Sequence, residues 1–304
     1  MLFYLAPLEG ITGYIVRNAF AHHFPYIDKY FTPFIPSAKR MSKKILRDLD
    51  PENNKGITLV PQLIGNRADE FLMMAGQLED LGFTSVNLNF GCPSGTVVAK
   101  KRGAGFLSDP DELDRLLDEV LSKCPISVSV KTRIGMEAEE EWEALCAVYA
   151  KYPLEELIIH PRLQKDYYKN PPRYEAFGRG VEEISSPLCY NGDVNTVEDF
   201  RNIQRKFPTV DRVMIGRGLL ANPGLVGEIK GMPPCDRKKI REFHDEILEG
   251  CLATFQGERD IVFHLKEIWF YLTKSFPERE KRLKQIQKCQ SLAEYRLIIQ
   301  QILS

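Results

Sequence analysis

The sequence predicts an α/β protein, a (β/α)8 TIM barrel followed by a C-terminal helical bundle domain. Short β-rich runs alternate with longer amphipathic segments over residues 1–230. Eight strand-like runs occur there, which is the number that a barrel of this class needs. No GxGxxG loop follows the first run, so the pattern disfavours a doubly wound nucleotide-binding sheet.

The predicted strands are rich in aliphatic and β-branched residues and end at polar residues or glycines. In chain order they cover 2–6, 29–34, 56–63, 85–90, 126–131, 156–160, 187–191 and 211–216. Strands that are separated by helical segments pair in parallel, because each crossover returns the chain to the same edge of the sheet. Eight such units predict a closed barrel.

Amphipathic helices are predicted between the strands, for example over 68–82 and 109–123. In the second, Asp109 is placed to cap the helix and Pro110 suits its first turn. Apolar residues then recur at helical spacing from Leu113 onward. These segments are the expected outer layer of the barrel.

A domain boundary is predicted at the sequence GMPPC, residues 231–235, because strand signals cease there. The rest of the chain is typical of four helices, over 237–255, 260–276, 279–289 and 291–303. We therefore expect a catalytic domain over 1–230 and a helical domain over 231–304, packed together.

The composition excludes several classes of protein. The 304-residue chain has a formal net charge of −1, so a nucleic-acid partner would have to meet a local basic patch. Seven cysteines include no CxxC pair, and we expect neither a disulfide framework nor a metal site. The first residues lack the features of a signal peptide, and no apolar run approaches membrane-span length. We expect a cytoplasmic protein with no membrane association and no obligate protein partner.

Candidate site residues, most of them polar or glycine, lie at the ends of the predicted strands or just after them, where barrel enzymes carry their active sites. In chain order they are Pro7, Leu8, Glu9, Gln62, Asn89, Cys92, Lys131, Arg133, His160, Arg162, Asn191, Asp193, Gly216, Arg217 and Gly218. Any one of them could tie a loop or face solvent. Together, at one face of one barrel, they predict a functional site.

The last two strands are followed by a predicted phosphate site. Gly192, Gly216 and Gly218 allow backbone N–H groups to approach an anion, and the helices that follow favour negative charge. Arg217 adds a bidentate cation. A phosphorylated ligand is expected, either a substrate or a cofactor.

Lys131 allows two kinds of chemistry. A barrel lysine can form a Schiff base, as in an aldolase. It can also stabilise the negative charge of a reduced flavin. Gln62 and Asn89 favour the flavin, because amides suit the edge of a heteroaromatic ring.

Cys92 lies between Gly91 and Pro93, on a rigid turn just past a strand end. A nucleophilic cysteine would need a histidine partner and a lowered pKa, and the sequence indicates neither. An unperturbed thiol, with a pKa near ~8.5, is protonated at neutral pH and can donate a proton. Such an acid beside a hydride-donating flavin suits the reduction of a polarised carbon–carbon double bond.

The chain resembles the tRNA-dihydrouridine synthase family in segments that follow the family's order over residues 4–225. These segments are LAPLEGITGYIVRNAF (5–20), VNLNFGCPSG (86–95), GAGFLSDP (103–110), VSVKTRIG (128–135), LIIHPRLQKDYY (157–168), CYNGDV (189–194) and VMIGRGLLANP (213–223). The motif around Cys92 is the most specific. At residue 161 the chain departs from the family, with Pro161 where glycine is usual.

This resemblance implies an FMN-dependent reduction of the 5,6 double bond of a uridine in tRNA, with NADPH as the reductant of the flavin. It implies that Cys92 protonates uracil C5 and that Asn89 addresses the base. The residues implied to hold FMN are Pro7, Gln62, Lys131, His160, Asn191, Asp193, Gly216 and Arg217, to which we add Leu8, Glu9 and Gly192. It places Arg133, Arg162 and Gln164 near the base or the tRNA backbone. It also implies a C-terminal helical domain that contacts tRNA.

Two basic segments are candidate tRNA contacts. Lys100, Lys101 and Arg102 follow the Cys92 turn, and residues 274–288 hold six Lys or Arg against two Glu. For the second segment a solvated helix face is an equal alternative. A uridine in folded tRNA must also leave its stack to reach a barrel mouth.

Three other functions compete with the tRNA reductase. A flavin barrel that acts on a small molecule, such as an enoate or a dihydropyrimidine, would explain the site but not the basic segments or the C-terminal helices. A lysine-dependent aldolase would use Lys131 without a flavin. A non-catalytic tRNA-binding protein would have no need for Cys92 and Lys131.

Overall fold

The structure is a computed structural model that describes residues 1–304, and its core is one sheet of ten short parallel strands. The strands are β1 Leu2–Leu5, β2 Lys29–Phe31, β3 Ile35–Pro36, β4 Leu59–Val60, β5 Gln62–Ile64, β6 Ser85–Phe90, β7 Ser127–Arg133, β8 Leu157–His160, β9 Leu188–Tyr190 and β10 Arg212–Ile215. Their order in the sheet is β3-β5-β6-β7-β8-β9-β10-β1-β2-β4. The predicted α/β class with a curled parallel sheet is confirmed.

Fourteen α-helices accompany the sheet. They are α1 Tyr14–His23, α2 Lys43–Leu49, α3 Ala68–Asp80, α4 Gly95–Val98, α5 Pro110–Lys123, α6 Glu141–Ala150, α7 Tyr174–Glu183, α8 Val197–Lys206, α9 Arg217–Ala221, α10 Leu225–Ile229, α11 Arg237–Thr254, α12 Glu258–Leu272, α13 Arg279–Lys288 and α14 Leu292–Leu303. Four 3-10 turns lie at Pro51–Asn54, Gly103–Ser108, Gln164–Asp166 and Thr273–Ser275.

Two of the eight predicted strands are interrupted in the structure. The second, predicted at 29–34, ends early as β2, and β3 forms after Pro33, beyond the predicted end. The third becomes β4 and β5, with Pro61 between them. Proline has no N–H to donate, so it cannot continue a ladder of hydrogen bonds. The side chain of Thr32 compensates, because its Oγ1 accepts from the Gln62 N–H at 2.9 Å.

The buried apolar residues form two separate clusters. A small cluster of seven comes from strand residues and the residue that follows β1, and it includes Tyr4, Phe31, Ile158 and Met214. A large cluster of 71 residues lies around it, and it joins side chains of the strands with side chains of the surrounding helices, including α11 to α14. The sheet is therefore packed on both faces, as parallel sheets are.

The amino ends of the strands are closed by a buried charge cluster. The Glu156 side chain, which precedes β8, accepts from Tyr4 at 2.9 Å, from Lys29 at 2.8 Å and from Arg212 at 3.4 Å. Lys29 begins β2 and Arg212 begins β10. A carboxylate can be buried here because two cations and a hydroxyl satisfy it.

Helices α11 to α14 follow the last strand and pack on one another. They also contact the sheet-bearing part of the chain, chiefly through α11 on α1 and α12 on α9. None of the helices combines the length and the apolar character that crossing a bilayer requires.

Candidate active site

The Cys92 turn is held by the side chain of Asn89. The Oδ1 atom of Asn89 accepts from the backbone N–H of Gly91 at 3.0 Å and of Cys92 at 2.9 Å. The Cys92 carbonyl accepts from the Ala104 N–H at 3.0 Å. Gly103 has a φ of +54°, and a Cβ there would lie 2.8 Å from the Cys92 oxygen. Only glycine fits that position, so the turn has little freedom.

The Cys92 thiol is half-buried, and its pKa is raised above the ordinary cysteine value. Burial is the main cause, and it outweighs the opposing effects of the Ser94 N–H, Arg133 and Lys131. Cys92 is therefore a protonated thiol at neutral pH, which is the form that can donate a proton.

Beneath the turn, a chain of buried side chains runs from strand to strand. Asn89 Nδ2 donates to Gln62 Oε1 at 2.7 Å, and Gln62 Nε2 donates to Asn87 Oδ1 at 2.7 Å. Asn87 Nδ2 then donates to Ser129 Oγ at 2.9 Å. The register aligns Asn87 with Ser129 and Asn89 with Lys131, so their side chains share one face of the sheet. The amides of Asn89 and Gln62 are thereby fixed in orientation, and each keeps one N–H without a partner.

Lys131 is a half-buried residue whose ammonium forms no hydrogen bond or ion pair with any protein group. Its pKa is lowered to about 8, chiefly by burial and then by the nearby Arg133. Unpaired buried ammonium groups are unfavourable, so this one is suited to an electron-rich ligand.

Arg133 is buried, and its guanidinium donates to three backbone carbonyls. The acceptors are Gly91 at 3.0 Å, Leu163 at 2.8 Å and Tyr167 at 2.8 Å. Gln164 adds a parallel tie, because its Nε2 donates to the Pro93 carbonyl at 2.9 Å. The loop after β8 is thus fastened to the Cys92 turn. The predicted contacts of Arg133 and Gln164 with substrate stay predictions.

Charged residues from three strand ends form one network beside this loop. Arg162 donates to His160 Nε2 at 3.1 Å and is ion-paired with Asp193. Arg217 pairs with the same carboxylate at 2.6 Å. The pKa of His160 is far below its ordinary value because of burial and the surrounding cations, so its ring is neutral. The two arginines hold the pKa of Asp193 low, with Arg162 the stronger, against the opposing effect of burial.

Tyr168 is a residue of the site that the sequence did not predict. Its ring lies 4.3 Å from the Arg217 guanidinium and 5.4 Å from that of Arg133, and it stacks on His160 at 6.0 Å. Half of its surface is exposed. The pair of tyrosines after QKD was visible in the sequence, but its position over Arg217 depends on the fold of the loop.

Of the three glycines predicted to hold an anion, Gly218 lies against backbone, whereas Gly192 and Gly216 lie against side chains. At Gly218 a Cβ would come within 2.0 Å of the Val194 carbonyl. The helix that follows β9 offers no free N-terminus, because Thr196 and Asp199 cap α8 reciprocally. The helix that follows β10 is only five residues long. Backbone and Arg217, rather than a helix dipole, would therefore bind an anion here.

The remaining predicted residues lie at the same edge of the sheet. Asn191 is buried, and its Nδ2 donates to the Met214 carbonyl at 2.9 Å. Pro7 and Leu8 are half-buried and Glu9 is exposed in the loop after β1, where Thr12 accepts from the Leu8 N–H at 2.8 Å.

The two basic segments differ in how their charges are used. Lys100 and Lys101 are exposed and form no ion pair, whereas Arg102 lies 3.7 Å from Glu70. In the second segment Glu278 pairs with Lys281 and with Arg282. Four cations of this segment are left without an acidic partner, namely Lys274, Arg279, Lys284 and Lys288.

The C-terminal helices contribute to the rim of the site. Lys274 lies over the Tyr271 ring at 5.4 Å. The pKa of Lys274 is lowered, first by partial burial and then by Arg279 and Arg217. Ser275 donates to the Ala221 carbonyl, which follows Arg217 on α9. Residues 271–279 thus border the Arg217 end of the site.

The curled parallel sheet with its surrounding helices is similar in fold to oxidoreductases built on a TIM barrel. Among solved structures the chain is similar to morphinone reductase, with a TM-score of 0.56 and 13% identity over 80% of this chain and 88% of the other. It is also similar to histamine dehydrogenase from Rhizobium sp. 4-9, with a TM-score of 0.57 and 11% identity over 80% of this chain and 48% of the other. At such identities the likeness concerns the fold.

The chain belongs to the dihydrouridine synthase family, whose model matches residues 4–302. It is 29% identical over 294 residues to the tRNA-dihydrouridine(16) synthase of Aquipseudomonas alcaligenes, covering 90% of this chain and 91% of that protein. It is 30% identical over 289 residues to the enzyme of the same name from Pseudomonas syringae pv. tomato, covering 90% of each. The resemblance stated from the motifs is confirmed, as is the prediction of an enzyme.

Proposed function

We propose that this chain reduces the 5,6 double bond of a uridine in tRNA to give dihydrouridine, with FMN as bound cofactor and NADPH as reductant. Family membership supports the reaction. Two relatives similar over nine-tenths of the chain both act, by name, on position 16, so position 16 is the proposed target. The proposed place of action is the cytoplasm.

The observation that carries the proposal is the state of Cys92. Its thiol is kept protonated by burial, and Asn89 fixes the turn on which it lies. In the proposed reaction Cys92 donates its proton to C5 of the uracil. Asn89 still has one N–H free, which can hold a carbonyl oxygen of the base.

The residues at the strand ends fit a flavin. The ammonium of Lys131 lacks any partner in the protein, and the amide orientations of Gln62 and Asn89 are fixed. Gly216 packs closely on the loop after β1, since a Cβ there would lie 3.2 Å from that of Ala6. The residues proposed to hold FMN are Pro7, Leu8, Glu9, Gln62, Lys131, His160, Asn191, Gly192, Asp193, Gly216 and Arg217. When bound, the flavin supplies the hydride for C6.

Other residues of the chain position the substrate. Arg133 and Gln164 fasten the loop after β8 to the Cys92 turn, and Arg162 anchors that loop through Asp193. We propose that the base enters between this loop and the turn after leaving its stack in the tRNA.

We further propose that residues 1–230 form an eight-stranded barrel and that residues 231–304 form a tRNA-binding helical domain. The barrel follows if β2 with β3, and β4 with β5, each count as one interrupted strand, because the order of strands then returns on itself. The unpaired cations Lys100 and Lys101 lie on the loop after the Cys92 turn, where they can meet tRNA phosphates together with Arg102.

The test is a reaction of the purified protein with FMN, NADPH and unmodified tRNA, followed by mapping of dihydrouridine along the tRNA. We expect the product at position 16 alone. Product at another position would overturn the positional assignment only. No product in tRNA, together with rapid reduction of a small enoate, would overturn the proposed function.

A further inference from the structure

Three side chains from distant parts of the sequence converge at the contact of α1 with α11. Nδ1 of His22 lies 2.7 Å from Oε2 of Glu246, and Nε2 of His23 lies 2.8 Å from the same oxygen. All three atoms lie within 4.8 Å of one another. The two imidazole rings are tilted by 32° with centroids 4.6 Å apart, so both present a nitrogen to one point.

The environment of this cluster suits a cation. The two histidines form the last turn of α1, where the helix dipole is negative. The Glu246 carboxylate adds a negative charge that contacts both rings. Lys239 is a cation near His23 and therefore opposes the binding of a metal ion. Its Nζ lies 3.8 Å from Oε2 of Glu242, which offsets part of its charge.

Access is also suitable. The His22 side chain is 74% exposed and Glu246 is 33% exposed, whereas His23 is almost buried. A tetrahedral zinc ion with bonds of about 2.0–2.2 Å needs its ligand atoms roughly 3.3 Å apart. The present separations of 2.7 and 2.8 Å are therefore shorter by about half an ångström. Rotation of the exposed His22 and Glu246 side chains can supply that distance.

We propose that His22, His23 and Glu246 bind a divalent transition metal, with zinc as the best match. Two imidazole nitrogens and one carboxylate are a common zinc ligand set, and water would complete the coordination. Because the histidines lie on α1 and the glutamate on α11, the ion would fasten the C-terminal helices to the sheet-bearing part of the chain. The two adjacent histidines do not reveal this site in the sequence, because the third ligand, Glu246, lies 223 residues after His23.

The test is a titration of the untagged full-length protein with Zn²⁺ after chelator treatment, followed by calorimetry and by thermal unfolding. We expect one tightly bound equivalent and a melting temperature that rises with zinc and then levels off. Cobalt(II) in place of zinc should give the visible absorption of a tetrahedral site.

His22→Ala and Glu246→Gln should each weaken zinc binding by about tenfold or more. Both residues are accessible, so the variants should fold. Glu249→Gln, one turn further along α11, is the matched control and should bind like the unaltered chain. Because seven free cysteines can also hold zinc, the difference between variants is decisive. No bound equivalent, or a zinc affinity in either variant equal to that of the unaltered chain, would show a hydrogen-bonded cluster only and overturn the proposal.

Discussion

Cys92 shows how neighbours decide the role of a single thiol. Two cations, Arg133 and Lys131, lie close enough to favour the thiolate, yet burial raises the pKa of Cys92 overall. Arg133 is also committed to three backbone carbonyls. The result is a thiol that is protonated at neutral pH, which the proposed acid requires and which a nucleophile does not.

Cys92→Ala should leave flavin binding and flavin reduction by NADPH near normal. Only reoxidation of the reduced flavin by tRNA should slow, by about 10²–10⁴-fold, which is the usual contribution of general acid catalysis. The measurement is single-turnover reoxidation by unmodified tRNA. Cys124→Ala, another half-buried cysteine, is the control.

Cys92→Ser should restore little of this rate, because an alkyl hydroxyl is a much weaker acid than a thiol. If Cys92→Ala reoxidised at the unaltered rate, another group would be the proton donor.

The pKa of Lys131 predicts a pH dependence. With a pKa of about 8, Lys131 is charged at lower pH and loses its charge as the pH rises through that value. A bound anionic ring would move the value upward. The rate of flavin reduction by NADPH should therefore fall with rising pH, with an inflection at about pH 8 or higher. The fall should be about tenfold or more, and tenfold corresponds to ~1.4 kcal/mol. Stopped-flow rates across pH measure this, and Lys131→Met should be slow throughout with no inflection.

Arg217→Ala should yield largely colourless protein. The variant removes a charge-assisted contact to the cofactor phosphate worth about 1.5–3 kcal/mol. Flavin absorbance per protein measures occupancy after purification. Arg201→Ala, an exposed arginine on α8, is the control. Full occupancy in Arg217→Ala would mean that Arg217 serves Asp193 and Tyr168 only.

Individual elements were predictable where hydrophobic alternation and turn residues agreed. The strand predicted at 85–90 has those bounds in the structure, so Asn89 and Cys92 lie where expected. The helix predicted at 109–123 begins at Pro110, with Asp109 as its cap. The interrupted strands were missed, although Pro33 and Pro61 were visible in the sequence.

The hydrogen-bond partners of the site residues could not be predicted from the predicted strands and helices. Asn89 is expected to address the base, but its carbonyl oxygen is occupied by the Cys92 turn and one of its two amide N–H groups by Gln62, so only the other N–H is left for that role. This arrangement depends on the register of β5, β6 and β7, which a strand pattern does not specify between neighbours.

The loop that carries Lys100, Lys101 and Arg102 can be tested as one element. Reversing all three charges to Glu should weaken tRNA binding and reduce its dependence on salt, because fewer phosphate counterions are released. NADPH oxidation by the flavin should persist, since it needs no tRNA. The matched control is a variant in which three other lysines are changed to Glu. These lysines precede the starts of strands at the opposite end of the sheet, and they are Lys123, Lys151 and Lys206. If the loop variant lost both half-reactions, the loop would be structural.

At the scale of the molecule, the alternation of strands and helices predicted the class of fold and the edge that carries the site. It could not predict contacts between remote segments. Glu156 accepts a hydrogen bond from Lys29, which lies 127 residues earlier in the chain. The Tyr168 ring contacts the Arg217 guanidinium, which lies two strands later. Such pairs follow from the curl of the whole sheet, so no local pattern reports them.

The role of the cations on α13 also could not be predicted from the sequence, which is equally consistent with tRNA contact and with a solvated helix face. Lys284 and Lys288 have no acidic partner, unlike Lys281 and Arg282. The double variant Lys284→Gln, Lys288→Gln should make tRNA binding less dependent on salt. In a plot of log affinity against log salt concentration, the slope should become shallower by about 0.7–0.9 for each phosphate that the protein no longer neutralises. Binding measured at several salt concentrations gives the slope. The exposed Lys238 on α11, changed to Gln, is the control, and an unchanged slope in the double variant would identify α13 as a solvated face.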